Sequence, residues 1–297
     1  MGRNRMWLVI SLLVVVAMAM VACGGAAEIP PTPVPPTIAT SAVPTITPTA
    51  TPAIVNCDQS MIAFISDRDG NHEIYVINAD GSNPTNLTNN SANDGNPIWS
   101  PDGSKIVFLS DPTGNIDDIV YVMNADGTGV KYLTDQNASL PERNRLEQEY
   151  FAAWSPDRSK VAYWFDQFDG NFEIYVMKKD ELNSPPTELN NMTKNSASDE
   201  APAWSPDGSK IVFSSDRDGN YEVYVMNADG SNPTNLTNNS ADDEDPTWSP
   251  DGNKIAFITY RDGKGEVYVM NADGSNPTNL TNNKYIEMQA AWSPVCQ

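Results

Sequence analysis

Histidine occurs once in these 297 residues, as His72, and cysteine three times. Lys and Arg together number 18 against 39 Asp and Glu, a formal net charge of −21. A single histidine rules out multi-histidine zinc sites and leaves acid–base chemistry to carboxylates. Three cysteines are too few for a four-cysteine metal cluster or a disulfide-dense scaffold. The shortage of basic residues argues against nucleic acid or an anionic lipid surface as partner, and favours cations, cationic polymers or basic proteins. No G-x-S-x-G elbow, zinc-ligand spacing or phosphate-binding loop occurs. Long apolar runs are absent except at the start, Met6–Ala22.

That start reads as a targeting segment and is set aside before fold reasoning. Arg3 and Arg5 precede the apolar run, which ends in Met20-Val21-Ala22-Cys23-Gly24-Gly25. This stretch resembles a bacterial lipobox, and the resemblance implies cleavage at residue 22 and a diacylglyceryl group on Cys23. An uncleaved anchor is the alternative, since the run could nearly span a bilayer. Both place the rest of the chain outside the cytoplasm, at a membrane in the cell envelope. Residues 30–53 contain eight prolines and seven threonines. Such a stretch builds no core and favours polyproline II, at about 3.1 Å per residue. The expected organisation is a signal peptide over 1–22, a Pro/Thr-rich stalk over 23–53 and one folded domain over 54–297.

The folded part repeats. Trp99, Trp154, Trp204, Trp248 and Trp292 each open a Trp-Ser-Pro phrase, the later ones 44 residues apart. Within one unit, Ile211-Val212-Phe213 and Glu222–Met226 are β-prone runs around the turn Asp216–Asn220. A second turn at Asn227–Ser231 leads to a short edge strand, Thr234–Thr237. A fourth strand, Pro246–Ser249, closes the unit at the turn Ser249–Gly252. One such sheet cannot bury both faces alone, whereas radially packed copies can. The text WSPDGSKIVFSSDRDGNYEVYVMNADG resembles the PD40 repeat, a WD40-like unit of TolB-type propellers. That resemblance covers 54–297 and implies an all-β propeller with a protein-binding role in the envelope. TolB-type propellers typically have six blades; five sets of strands are counted here. Ala290–Ser293 is an inner strand without outer partners, and the first set lacks an inner strand. The C-terminal strand is therefore expected to complete blade one and close the ring. On this alignment Cys57 and Cys296 fall where a hairpin turn joins the same strands in the other blades, so a disulfide between them is expected.

The phrase NADGSNPTNLTNN appears verbatim at Asn78–Asn90, Asn227–Asn239 and Asn271–Asn283. It reads as a turn and an exposed edge strand that resists pairing, with its exact identity a record of blade duplication. An acid stands five positions before each repeat tryptophan: Asp94, Glu149, Asp199, Asp243 and Glu287. With Glu200, Asp242, Glu244 and Asp245 nearby, these could form a ring at one channel mouth suited to Ca²⁺ or another hard cation. Alternatively each acid caps its own turn. The Asp-Arg-Asp-Gly-Asn hairpins place glycine too early for an EF-hand loop and read as tight turns. Insertions concentrate in repeats two and three; the longest, 137–150, carries Arg143 and Arg145 and is a candidate partner loop. His72 occupies a position filled by Phe172 and Tyr221 in other repeats, which argues against catalysis.

The sequence therefore points to a monomeric, non-enzymatic binding scaffold, anchored to the membrane by lipid and bound to an envelope protein or polysaccharide. A multivalent glycan- or cation-binding module is the second reading, and a hydrolase with its site in the channel mouth the third. Non-reducing peptide mapping is expected to recover Cys57 and Cys296 as one linked pair. In the chain-entropy picture so long a loop is worth up to about 5 kcal/mol. Recovery of both thiols free would remove the clasp.

Overall fold

Blade four shows how one repeat folds. Lys210–Ser215 (β13) pairs in full register with Glu222–Asn227 (β14), placing Phe213 opposite Tyr224. The hairpin between them turns through Gly219, whose φ is 104°. On one side β13 pairs with Asp199–Trp204 (β12), interrupted by a bulge between Glu200 and Ala203. On the other, β14 pairs with a strand of only two residues, Thr234–Asn235 (β15). That outer strand is shorter than expected because Asn235 Oδ1 accepts the backbone N–H groups of Thr237 and Asn238 at 3.0 Å each. The asparagine side chain replaces the next ladder partner and turns the chain out of the sheet. The inner strand is longer than expected, so the acids before tryptophan lie on it rather than in a loop.

In the computed structural model the described residues are 60–100, 102–111, 119–132, 153–166, 170–179 and 190–294. They fall within one unit, Val55–Gln297. Cys23, Cys57, Glu149, Arg143, Arg145 and Cys296 lie outside the described residues. Blade two comprises Asn93–Trp99 (β4), Lys105–Asp111 (β5), Ile119–Asn124 (β6) and Lys131–Tyr132 (β7). Blade three comprises Ala153–Trp154 (β8), Lys160–Asp166 (β9), Phe172–Lys178 (β10) and Asn190–Asn191 (β11). Blade five comprises Asp243–Trp248 (β16), Lys254–Thr259 (β17), Glu266–Asn271 (β18) and Thr278–Asn279 (β19). Blade one joins the two ends of the chain. Met61–Ser66 (β1), Glu73–Asn78 (β2) and Thr85–Asn86 (β3) take Glu287–Trp292 (β20) as their inner strand. Ile62 pairs with Trp292, and the Ser293 N–H reaches Met61 O at 2.8 Å. The fold is the expected five-bladed, all-antiparallel propeller, closed by its last strand.

The core lies between blades. Ile62, Phe64, Tyr75 and Ile77 on one face of blade one pack with Ala256, Ile258, Val267 and Val269 of blade five. The opposite face, Ala63, Ile65, Ile74 and Val76, packs with Trp99, Ile106, Phe108 and Met123 of blade two. Both faces are buried, which is why these strands read as continuous apolar runs rather than as an alternation. Two of the tryptophans fasten adjacent blades: Trp99 Nε1 donates to Ala291 O at 3.2 Å, and Trp204 Nε1 to Ala153 O at 3.1 Å.

A second seam runs along the outer rim. Gly274 in the Asn-Ala-Asp-Gly turn of blade five has φ 85°, and a Cβ there would stand 2.5 Å from Leu236 O of blade four. Gly219 also has positive φ, 104°, but faces open space. Gly274→Ala is expected to lower stability by about 2–4 kcal/mol, from left-handed strain plus displacement of a neighbouring backbone. Gly219→Ala should cost only about 1 kcal/mol, from the strain alone. Denaturant melts of the two variants test this; equal losses would refute the close-packed seam.

Candidate interaction face

Each inner strand begins at the end of the ring where the hairpin between its blade's second and third strands turns back. The pairings Ser66 with Glu287, Ser215 with Asp199 and Thr259 with Asp243 fix that juxtaposition. In blades one, four and five the hairpin supplies an arginine. Arg68 Nη2 bonds Glu287 Oε1 at 3.0 Å, Arg217 Nη2 bonds Asp199 Oδ1 at 2.8 Å, and Arg261 Nη2 reaches Asp243 at 3.2 Å. Their Nε atoms donate to Ser66, Ser215 and Thr259 at 2.8, 2.8 and 2.9 Å. Each guanidinium also lies over a tyrosine ring, 4.2 Å from Tyr75, 4.4 Å from Tyr224 and 4.8 Å from Tyr268. The acid side chains are 0% exposed, the arginines 17–26%. A charge-assisted hydrogen bond, a hydroxyl acceptor and a cation–π contact thus hold each guanidinium over a buried carboxylate.

The acids at this register position, Asp94 included, accept an amide proton from the asparagine four residues earlier. Asn90 bonds Asp94 at 2.7 Å, Asn195 bonds Asp199 at 2.6 Å, and Asn283 bonds Glu287 at 3.0 Å. Three of the four described acids of the anticipated ring, Asp199, Asp243 and Glu287, are therefore paired with an arginine of their own blade, while Asp94 is held by Asn90 from the loop after blade one's outer strand; the fifth, Glu149, is outside the described residues. Among the described residues no three His, Cys, Asp or Glu side chains are placed to hold one metal ion. Asp94 differs from its counterparts. The hairpin position that holds arginine elsewhere is Pro112 in the sequence. One oxygen of Asp94, Oδ1, has no hydrogen-bond partner, and neither has Oε2 of the arginine-paired Glu287. Burial pushes the Asp94 carboxyl above the ordinary value.

Two further polar clasps repeat. Glu73, Glu173, Glu222 and Glu266 are buried and accept from Thr88, Thr193, Thr237 and Thr281 on the outer-edge phrase. Their other oxygen takes the backbone N–H of Asn90, Asn195, Asn239 and Asn283. In the Asp-Arg-Asp-Gly hairpins the second aspartate accepts from a tyrosine hydroxyl, Tyr75 to Asp69 and Tyr224 to Asp218. Those bonds hold Asp69 and Asp218 below the usual carboxylate range. Burial first, then the aspartate, pushes both tyrosines up to about 12. The arginines of the first clasp were the functional-looking residues missed in sequence. Arg217 and Arg261 each follow their acid by 18 positions, a signal that was available.

The inner-strand bulges put Asn96, Ala201, Asp245 and Gln289 in left-handed conformations, φ 50–53°. The Asn96 N–H crosses to Gln289 Oε1 of blade one at 3.0 Å. Asp245 is the only acid among these four, and Glu200 of blade four is its charged neighbour. On the same end, a shallow concavity of about 420 Å³ is lined by Asn195, Ser196, Ala197, Asp216, Arg217 and Gly219.

The model of the TolB beta propeller domain matches residues 38–149 and 151–297. The Tol-Pal system protein TolB of Bordetella pertussis is 30% identical over 171 residues, covering 58% of this chain and 35% of that protein. The protein TolB homolog of Chlorobium luteolum is 28% identical over 168 residues, 57% of this chain and 34% of that protein. The chain thus spans about a third of the length of these curated relatives. Among solved structures, the tricorn protease superposes with a TM-score of 0.51 at 13% identity, over 75% of this chain and 26% of that one. TolB from Acinetobacter baumannii gives 0.44 at 19% identity, over 80% and 67%.

Burial, with Glu200 second, pushes the Asp245 carboxyl up to about 6. A carboxyl raised above its unfolded value holds its proton more tightly when folded. Its contribution is fully present below the unfolded value near 4 and is lost as pH rises through about 6. Asp245→Asn is therefore expected to raise Tm at pH 8, by a stability gain on the order of 1–3 kcal/mol, and to change little at pH 4. Thermal melts across that range check it; a pH-independent difference would contradict the assignment.

Proposed function

Because the chain belongs to the TolB β-propeller domain family, we propose that it is an interaction scaffold of the bacterial cell envelope, without chemistry of its own. The observation that carries this reading is the repetition of the buried polar network. Acids that sequence alone would nominate for a site are paired with hairpin arginines of the same blade in blades one, four and five, and the buried Glu–Thr clasp recurs in blades one, three, four and five. Groups engaged in that way hold sheets together and leave recognition to the loops of the rim. Two curated relatives are named for the Tol-Pal system, which supports an envelope protein as the partner class. In this reading a lipid on Cys23 tethers the propeller to the outer face of a membrane through the 23–53 stalk, and residues 137–150 with Arg143 and Arg145 contact the partner.

Crosslinking and affinity capture of the intact protein from its native envelope is the test. A defined envelope protein should be captured, and replacing 137–150 by a short Gly-Ser turn should reduce its recovery at least tenfold while leaving Tm nearly unchanged. Recovery independent of that loop would overturn its assignment. Turnover of a glycan or peptide substrate by the purified protein would overturn the non-enzymatic reading.

A further inference from the structure

Blade four has a concavity at a place where blade one carries a ring. In blade one the loop into the inner strand reads Lys284-Tyr285-Ile286. Arg68 there contacts two tyrosines, 4.2 Å from the Tyr75 ring centroid and 5.8 Å from that of Tyr285. In blade four the same loop reads Ser196-Ala197-Ser198, and its backbone is held by the same bonds. The Tyr285 N–H donates to Asn283 Oδ1 at 2.6 Å, and the Ala197 N–H to Asn195 Oδ1 at 2.7 Å. The Ile286 N–H donates to Asp67 Oδ1 at 2.9 Å, and the Ser198 N–H to Asp216 Oδ1 at 2.8 Å. Residue 197 therefore stands where residue 285 stands, with a methyl group in place of a phenol. Arg217 matches Arg68 in its acid, its hydroxyl acceptor and its first ring, 4.4 Å from Tyr224. The second ring is what the blade-four loop does not supply.

The space beside Arg217 is open. The concavity of about 420 Å³ is lined by Ser196, Ala197, Asp216, Arg217 and Gly219 with Asn195. A Cβ on Gly219 would meet nothing within 4 Å, and the Arg217 side chain keeps 21% exposure. A volume of that size lies in the range of small-ligand sites, about 300–1,000 Å³. A guanidinium already stacked on one ring attracts a second through the same quadrupole interaction. At the rim, the Asp216 carboxylate and the Ser196 hydroxyl can accept a phenol O–H, which favours tyrosine over phenylalanine. By sequence the combination of a small loop residue, a hairpin aspartate and an arginine occurs in blade four alone. Blade one has Tyr285, blades two and three have no hairpin arginine, and blade five has Tyr260 in place of the aspartate.

We propose that the blade-four concavity is a docking site for a tyrosine side chain of a partner protein, seated against the Arg217 guanidinium as Tyr285 is against Arg68. The site and its preference for a ring rest on the geometry of this chain. That the ring belongs to a protein rests on the scaffold reading. A rigid aromatic anchor in a small pocket is the kind of contact on which protein interfaces concentrate their binding energy.

The full chain titrated with acetyl-tyrosine amide, acetyl-phenylalanine amide and acetyl-leucine amide, followed by amide NMR, tests the site. The tyrosine probe is expected to bind with a Kd on the order of millimolar and to shift the amides of residues 195–198 and 216–219. The phenylalanine probe should bind several-fold more weakly, and the leucine probe more weakly still. Ala197→Tyr should abolish binding without lowering Tm, because the chain then carries the ring of blade one. Arg217→Lys keeps the charge facing Asp199 but not the planar group, and should weaken binding several-fold. A variant that fails to fold shows at once in its melt, and the other still decides. Equal binding by wild type and the folded variants would overturn the proposal, as would leucine binding as tight as that of tyrosine. Absence of shifts at these amides in the wild type would overturn it too. A methyl glucoside that shifts them where the tyrosine probe does not would assign the site to a polysaccharide instead. Tyrosine binding that persists while envelope capture fails would count against the scaffold reading and leave the ring site standing.

Discussion

A four-stranded sheet with apolar side chains on both faces has nowhere to bury them except between two neighbours. Blade one shows the constraint directly, with Phe64 turned toward blade five and Ile65 toward blade two. No blade satisfies its own core, so the terminal blades must meet, and the chain does this by giving blade one an inner strand from its other end. The indole bonds from Trp99 and Trp204 to the preceding blade, and the close glycine turns at the rim, are seams that such an arrangement makes possible.

Polar repetition follows from the same geometry. Edge and loop backbone on a ring of short strands has few ladder partners, and side chains take over. The phrase NADGSNPTNLTNN is a set of such substitutions. Asn78 bonds Ser82, Asp80 caps the Ser82 N–H, and Asn86 takes the N–H groups of Thr88 and Asn89. Thr88 reaches Glu73, and Asn90 bridges to Asp94 on the next inner strand. Blade three keeps the bonding letters, Asn191, Thr193 and Asn195, while replacing leucine by Met192. Duplication alone therefore does not account for the phrase; most of its letters hold a specific hydrogen bond.

Against that regular background, departures carry the information. Blades two and three hold the insertions in the sequence and lack the hairpin arginine.

Sequence by itself determined the repeat, the five blades and the closing strand, because tryptophan spacing and two incomplete end units admit one circular solution. The turns were legible for a local reason: Asp-Gly and Ser-Pro-Asp-Gly specify backbone conformation within four residues. What the acids do was not legible. Five carboxylates at one register position read equally as a cation ring or as internal caps, and one dimension cannot distinguish them. Tertiary structure pairs three of the described acids with an arginine of the same blade, by folding Arg217 and Arg261 back 18 positions onto Asp199 and Asp243, and by carrying Glu287 across the closed ring to Arg68. A charge is neutralised by whatever lies within a few ångströms of it, and only the closed fold sets those distances.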